Sequence, residues 1–170
     1  MQELSLSSLV RPHLLSLKPY SSARDEYSGK IGVFLDANEN PYGSTTDSGS
    51  YNRYPDPYQH EIKEQLARLK GVRPEQVFLG NGSDEPIDLL MRIFCTPGKD
   101  KVLTMPPTYG MYEVSANINQ VEIQAVPLTS DFQINLDGVL AALSDNTKLV
   151  WVCSPNNPSG NPLHPDAIRQ

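Results

Sequence analysis

The stretch Ser154-Pro-Asn-Asn-Pro-Ser-Gly160 sets two amides and two hydroxyls on backbone stiffened by two prolines. Each asparagine carries a donor and an acceptor, so either can hydrogen-bond a phenolate-type oxygen or a carboxylate while the prolines hold its direction. X-Pro bonds are where cis peptides occur, and Ser154-Pro155 or Asn157-Pro158 could use one to aim a side chain. A plain surface turn seldom needs so much constraint. A second loop, Gly80-Asn-Gly-Ser-Asp-Glu-Pro86, reads as a strand-to-helix turn with glycines where backbone approaches something closely. Free N–H groups at a helix start, at the positive end of its dipole, suit a phosphate. An ordinary capped helix is the competing reading, with Ser83 as N-cap and Asp84 and Glu85 complementing the dipole. The spacing is neither Gly-x-Gly-x-x-Gly nor a Walker loop, so by itself it signals no nucleotide. In a third loop, Pro106-Pro-Thr-Tyr-Gly110, prolines stiffen the approach to Tyr109 and a glycine frees the exit. A rigid aromatic there could stack on a planar heterocycle, or pack under its own loop.

These loops need a scaffold, and the pattern of the chain supplies one. Residues 1–50 are polar, Ser-rich and broken at Pro12, Pro19 and Pro41, with one apolar run at Ile31-Gly-Val-Phe-Leu35, and read as an arm that wraps something. Asp56 as N-cap and Pro57 at the first helical position predict a helix carrying Ile62, Leu66 and Leu69 on one face and closed by Gly71. Val77–Leu79 reads as a short strand, and a second helix follows with Ile87, Leu90, Met91 and Phe94 on one face. Strands are expected at Lys101–Met105 and Val121–Val126, and a nearly continuous apolar one at Lys148–Cys153. Helices are expected over 109–118 and from Asp137 to Leu143, with a further helix start at His164-Pro-Asp166. Alternation at these lengths means βαβ crossovers and a largely parallel sheet. In such sheets ligands sit outside the carboxyl ends of the strands, where the three unusual loops fall.

Composition limits the partners. The 170 residues have 38% hydrophobic content and a formal charge of −6, enough for a core and contrary to a nucleic-acid surface or a polybasic membrane contact. No apolar run approaches the roughly 20 residues of a membrane span, and Met1-Gln-Glu-Leu-Ser lacks the pattern of a signal peptide, so a cytoplasmic protein is expected. Cys95 and Cys153, and the histidines 13, 60 and 164, are scattered without metal-ligand spacing, so no metal is expected.

Together Gly82-Ser-Asp-Glu85, Pro107-Thr-Tyr-Gly-Met-Tyr112 and Ser154-Pro-Asn-Asn-Pro-Ser-Gly160 resemble the first half of a fold-type I pyridoxal-phosphate aminotransferase. Lys18-Pro-Tyr20, Leu35-Asp-Ala-Asn-Glu-Asn-Pro41 and Asn52-Arg-Tyr-Pro-Asp56 narrow the resemblance to the histidinol-phosphate aminotransferases, over essentially the whole chain. The commonest family form has Thr at position 159 and often Ala at 83. The resemblance implies an arm and substrate loop in 1–50 and the first part of the pyridoxal-phosphate-binding large domain in 51–170. It implies that Ser83 and Asp84 hold the cofactor phosphate, Tyr109 stacks on the pyridine ring, and Asn157 hydrogen-bonds the phenolic oxygen. It further implies a homodimer with shared sites, in which Tyr54 reaches the phosphate of the neighbouring subunit's cofactor while Tyr20 and Asn38 approach the substrate. The implied reaction moves an amino group between L-histidinol phosphate and 2-oxoglutarate.

A transaminase also needs a Schiff-base lysine and an acid against the ring nitrogen. In the family both lie beyond the Asn-Pro loop, which places them past residue 170. Lys18, Lys30, Lys63, Lys70, Lys99, Lys101 and Lys148 sit in the arm, on helix faces or at strand starts, and none is nominated. The segment alone is therefore expected to be inactive. Two other readings stand beside this one: a related threonine-phosphate decarboxylase, and a short non-catalytic protein binding a phosphate-bearing ligand or a partner.

Overall fold

The computed structural model describes residues 5–22, 32–45 and 51–170. In chain order its helices are α1 (Leu6–Leu9), α2 (His60–Lys70), α3 (Asp84–Phe94), α4 (Met111–Ile118), α5 (Leu136–Ala142) and α6 (Pro165–Arg169). Its strands are β1 (Lys101–Thr104), β2 (Glu122–Ala125) and β3 (Thr147–Val150), and single 3-10 turns cover Pro12–Ser16 and Pro74–Gln76. They form two units, one made of the residues up to Leu17 with Gly80–Gln170, the other of Lys18–Leu79.

The first unit holds the sheet. Its order is β2-β1-β3, with both pairings parallel, as βαβ alternation demands. β1 is central and is covered on both faces. Successive side chains alternate between faces, so Val102 joins Ile87, Met91, Cys95, Tyr112, Ala116 and Val121 under α3 and α4. Leu103 and Met105 instead join Val126 and Val139 beside α5. The expected apolar face of α3 is the one that packs, with Met91 wholly buried.

The strand expected at Lys148–Cys153 forms its ladder only over Thr147–Val150, and it is not buried on both faces. Leu149, Trp151 and Cys153 turn toward the core, whereas Val150 and Val152 remain 40% and 37% exposed. Among the described residues β3 pairs only with β1, and a strand covered on one face shows period-two burial whatever its composition.

The end of α3 is closed from the N-terminal segment. The Arg11 N–H donates to the Ile93 carbonyl at 3.0 Å, and the Arg11 Nη1 donates to the Arg92 carbonyl at 2.9 Å. Carbonyls in the last turn of a helix lack partners within it, and a guanidinium there also complements the dipole. The first residues of the expected arm thus close a helix of this unit.

Asp88 links α3 to the end of α4, accepting from Asn119 Nδ2 at 2.7 Å and from Arg92 Nε at 2.7 Å. The Asn119 hydrogen bond, with Arg92 behind it, holds the Asp88 carboxyl below its usual value. A carboxyl lowered on folding contributes stability above its unfolded pKa, lost as pH falls through the folded one. Asp88→Asn should therefore lower stability at neutral pH and flatten the loss of stability below about pH 4. An unfolding midpoint followed from pH 7 to pH 2 checks this, and an unchanged slope would refute it.

In the second unit two sequence expectations are corrected. α2 begins at His60, not at Pro57. The Asp56 carboxylate accepts the N–H groups of Tyr58 and His60, both at 2.9 Å, closing a turn in which Gln59 takes φ 54°. A left-handed residue cannot lie inside the helix, so the helix starts after it. Gly71 closes α2 as expected, with φ 67°. Val77–Leu79 is extended but joins no ladder among the described residues. The Val77 N–H is spent on the Pro74 carbonyl at 3.0 Å, and Phe78 is 57% exposed. Lys30 and Ile31 lie outside the described residues. No helix among the described residues is long and apolar enough to cross a membrane.

Candidate functional site

Three loops of the first unit are positioned by the sheet and by α3. The turn from Gly80 leads into α3, with Gly82 at φ 72°, a conformation that favours glycine. Glu85 reaches back to accept the Asn81 N–H at 2.7 Å. Ser83 is itself helical (φ −80°, ψ −21°), and its hydroxyl caps no backbone group. The N–H groups of Ser83, Asp84 and Glu85 have no acceptor among the described residues. The Ser83 hydroxyl thus does not cap the helix, while Asp84 and Glu85 stand in its first turn as the capped-helix reading expected. An uncapped start on an eleven-residue helix remains, with donors and dipole facing outward.

Tyr109 stands beside that helix start. Its hydroxyl donates to Asp84 Oδ1 at 2.8 Å, and this bond to the carboxylate raises the phenol above its usual pKa. The ring also meets Tyr112 edge-on, with centroids 5.7 Å apart and planes at 89°. Tyr112 in turn stacks on Trp151 at 4.9 Å and 12°. Burial pushes the Tyr112 phenol up to about 12, and the adjacent Cys153 adds to the effect. The aromatic support beneath Tyr109 is uncharged at ordinary pH. A hydroxyl anchor and a perpendicular ring contact together fix the plane that Tyr109 offers.

The third loop follows β3. Asn157 is exposed, and its side chain has no hydrogen-bond partner among the described residues. Its neighbour Asn156 is 3% exposed, and its Nδ2 donates to the Pro107 carbonyl at 3.0 Å and to Ser159 Oγ at 2.6 Å. The peptide bonds Ser154-Pro155 and Asn157-Pro158 are both cis, as is Pro106-Pro107, which the sequence did not single out. Residue types alone left Asn156 and Asn157 equivalent, and it was the resemblance that singled out Asn157. The signal in the residues that could have separated them is the serine three residues after Asn156, a spacing that lets a turn fold back on its own amide.

Tyr20, Asn38 and Tyr54 belong to the second unit, where all three are exposed. There Glu39, next to Asn38, accepts the Tyr54 N–H at 2.8 Å and Arg53 Nη1 at 2.7 Å. Asn40 accepts, on its backbone carbonyl, from Asn52 Nδ2 at 2.9 Å. The Ala-Asn-Glu-Asn loop and the Asn-Arg-Tyr segment are thus joined to each other. Glu39 is buried to 6% side-chain exposure against 52% for Arg53, so Glu39→Ala should loosen the pairing, leaving the Asn52–Asn40 bond in place, and deprive the Tyr54 N–H of its acceptor. Faster amide exchange at Tyr54 is the expected result, and an unchanged rate would show that the segments hold together without Glu39.

The lysines of the first unit keep away from these loops. Lys99, Lys101 and Lys148 precede or begin strands, at the opposite end of the sheet from the carboxyl-terminal loops, and Lys148 Nζ donates to the Asp145 carbonyl at 3.2 Å.

The donor set suits a phosphorylated planar heterocycle, pyridoxal phosphate among them. An uncapped helix start suits the phosphate, an anchored phenol ring suits the plane, and an unpartnered amide suits a ring oxygen.

The comparisons with known proteins identify the family. The family model described as Aminotransferase class I and II matches residues 26–170. A histidinol-phosphate aminotransferase of Cytophaga hutchinsonii is 57% identical over 98% of this chain and 47% of its own length. That of Parabacteroides distasonis is 55% identical over 96% of this chain and 46% of its own. The chain spans about half the length of the curated relatives it matches. Among solved structures, the histidinol-phosphate aminotransferase of Sinorhizobium meliloti in complex with pyridoxal-5'-phosphate superposes with a TM-score of 0.61 at 25% identity. That match covers 88% of this chain and 43% of the other. Parallel sheet, flanking helices and loops at the carboxyl ends of the strands are those of a fold-type I aminotransferase, and the chain belongs to the class I and II aminotransferase family.

Proposed function

We propose that this chain supplies the cofactor-holding part of a histidinol-phosphate aminotransferase, which moves an amino group between L-histidinol phosphate and 2-oxoglutarate with pyridoxal phosphate. The observation that carries the reading is the Tyr109 hydroxyl anchored on Asp84 at 2.8 Å beside an uncapped start of α3. It sets an aromatic plane next to a phosphate-binding helix end, and the names of the relatives supply the substrate.

In this reading bound pyridoxal phosphate supplies an electron-withdrawing ring that accepts charge from the substrate. The chain's own residues bind and orient. The N–H groups at Ser83 and Asp84 and the Ser83 hydroxyl hold the phosphate dianion. Tyr109, kept protonated by the carboxylate it donates to, presents an uncharged ring to the heterocycle. Asn157 Nδ2 donates to the phenolic oxygen and favours its anionic form. Residues 1–50 serve as arm and substrate loop, with Tyr20 and Asn38 toward the substrate, and 51–170 begin the large domain. Tyr54 serves the neighbouring subunit's phosphate in a cytoplasmic homodimer. None of the lysines present carries the cofactor. That residue lies beyond 170, so residues 1–170 by themselves do not transaminate.

The test is glutamate formation from histidinol phosphate and 2-oxoglutarate by the native protein, with and without added pyridoxal phosphate. Cofactor-dependent glutamate supports the reading. Carbon dioxide release from a phosphorylated amino acid in its place would favour a decarboxylase, and a native protein that takes up no cofactor would overturn both.

A further inference from the structure

Two asparagines stand side by side after β3, and the structure gives them opposite environments. Asn157 is exposed and without a partner among the described residues, whereas Asn156 is buried with both amide hydrogens committed. We propose that Asn156 is a positioning residue that sets the spacing between the Tyr109 ring and the Asn157 amide. This inference rests on the cofactor reading of the site.

The backbone leaves this task to a side chain. β3 and β1 are last joined by the Trp151 N–H to the Leu103 carbonyl at 2.9 Å. Beyond it, prolines at 106, 107, 155 and 158 remove N–H groups from both loops. No backbone hydrogen bond joins 106–110 to 154–160 among the described residues. The Asn156 Nδ2 bond to the Pro107 carbonyl, 49 residues away in sequence, crosses that gap. Pro107 lies two residues before Tyr109, and Asn156 is the residue before Asn157. One hydrogen bond therefore connects the backbones that carry the two groups.

The amide can face only one way. The Pro107 carbonyl is purely an acceptor, so Nδ2 and not Oδ1 must meet it. The second hydrogen goes to Ser159 Oγ, which then donates its own to Asn161 Oδ1 at 2.6 Å. Asn161 Nδ2 donates onward to the Phe132 carbonyl at 3.0 Å. The main chain repeats the constraint: the Asn156 N–H donates to the Asn161 carbonyl at 2.8 Å, and the Asn156 carbonyl accepts from the Gly160 N–H at 2.7 Å. A buried donor that loses its acceptor has no water to turn to, so such a chain holds one arrangement. Only a residue that both donates and accepts fits at 159.

The experiment uses the native protein and measures pyridoxal-phosphate affinity by titration of the apoprotein, alongside its thermal unfolding. Asn156→Ala should weaken binding by roughly tenfold to a hundredfold, the range for residues that orient a direct ligand contact. It should do so much less in an Asn157→Ala, Tyr109→Ala background, because a positioning residue has nothing left to position there. Equal losses in both backgrounds would make Asn156 a purely structural residue and overturn the proposal. Should Asn156→Ala not fold, Ser159→Ala decides: weakened binding there, with Ser159→Thr at the native value, supports the proposal, and unchanged binding overturns it. A native protein that binds no pyridoxal phosphate removes the cofactor reading itself. Undiminished affinity in Asn156→Ala removes only the positioning role.

Discussion

Met91→Ala should lower the unfolding free energy by about 2–5 kcal/mol, the range for truncating a large buried side chain to alanine. Met91 is at 0% exposure, on the face of α3 shared with Ile87 and Cys95, and belongs to the cluster that includes Val102 of β1. Neighbours on α3, β1 and α4 surround it, so little can relax into the space it leaves. Denaturant unfolding checks this as a shift of midpoint at unchanged slope. Met91→Leu conserves volume and should cost less than about 1.5 kcal/mol. Equal losses in the two variants would mean that the interior here is loosely packed. Because α3 also carries Ser83 and Asp84 at its start, cofactor affinity should fall in Met91→Ala only where the fold itself begins to open.

Asn157→Ala should slow turnover of the native enzyme by about tenfold to a hundredfold, the equivalent of one hydrogen bond to a charged group. The pH dependence carries the sign. A neutral N–H donor stabilises the anionic form of the oxygen it meets, so its removal raises the pKa of that oxygen. The titration of the bound cofactor's visible absorption should therefore move to higher pH, with the alkaline form losing ground at neutrality. An unmoved titration with a slowed rate would place Asn157 against the substrate, not against the ring oxygen. Native values for both would remove it from the site.

Much of this was legible because several elements depend on local chemistry. The α3 stripe and the capping glycine at 71 are set by periodicity and by φ preferences, which a single sequence carries. The three loops were legible for a related reason, since prolines and glycines at strand ends seldom serve anything but backbone placement. What was not legible depended on distant partners. Val77–Leu79 has the composition of a strand, but pairing is decided by what lies alongside. The one-sided burial of β3 depended on which elements cover it, which its residues do not encode. Asp56 was recognised as a helix-start residue, yet its carboxylate closes a turn before the helix, because Gln59 adopts a left-handed conformation that composition did not announce. In the Asn156-Asn157 pair the residue types were identical. The resemblance singled out Asn157, but the carbonyl of Pro107, far away in sequence, is what gives Asn156 its different surroundings.

The sheet order β2-β1-β3 also carries an expected order of assembly, which folding kinetics of variants along the three strands check. β1 meets β2 across a loop of about 20 residues and β3 across one of about 45, and closing the longer loop costs roughly 0.7 kcal/mol more in chain entropy. The nearer pairing, with α4 packed against it, is the cheaper nucleus, and β3 docks onto a strand already held on its other side. The helix start and Tyr109 belong to the early half of this order. The asparagine loop follows the later strand, so by this loop-closure argument Asn157 takes its place after the helix start and Tyr109.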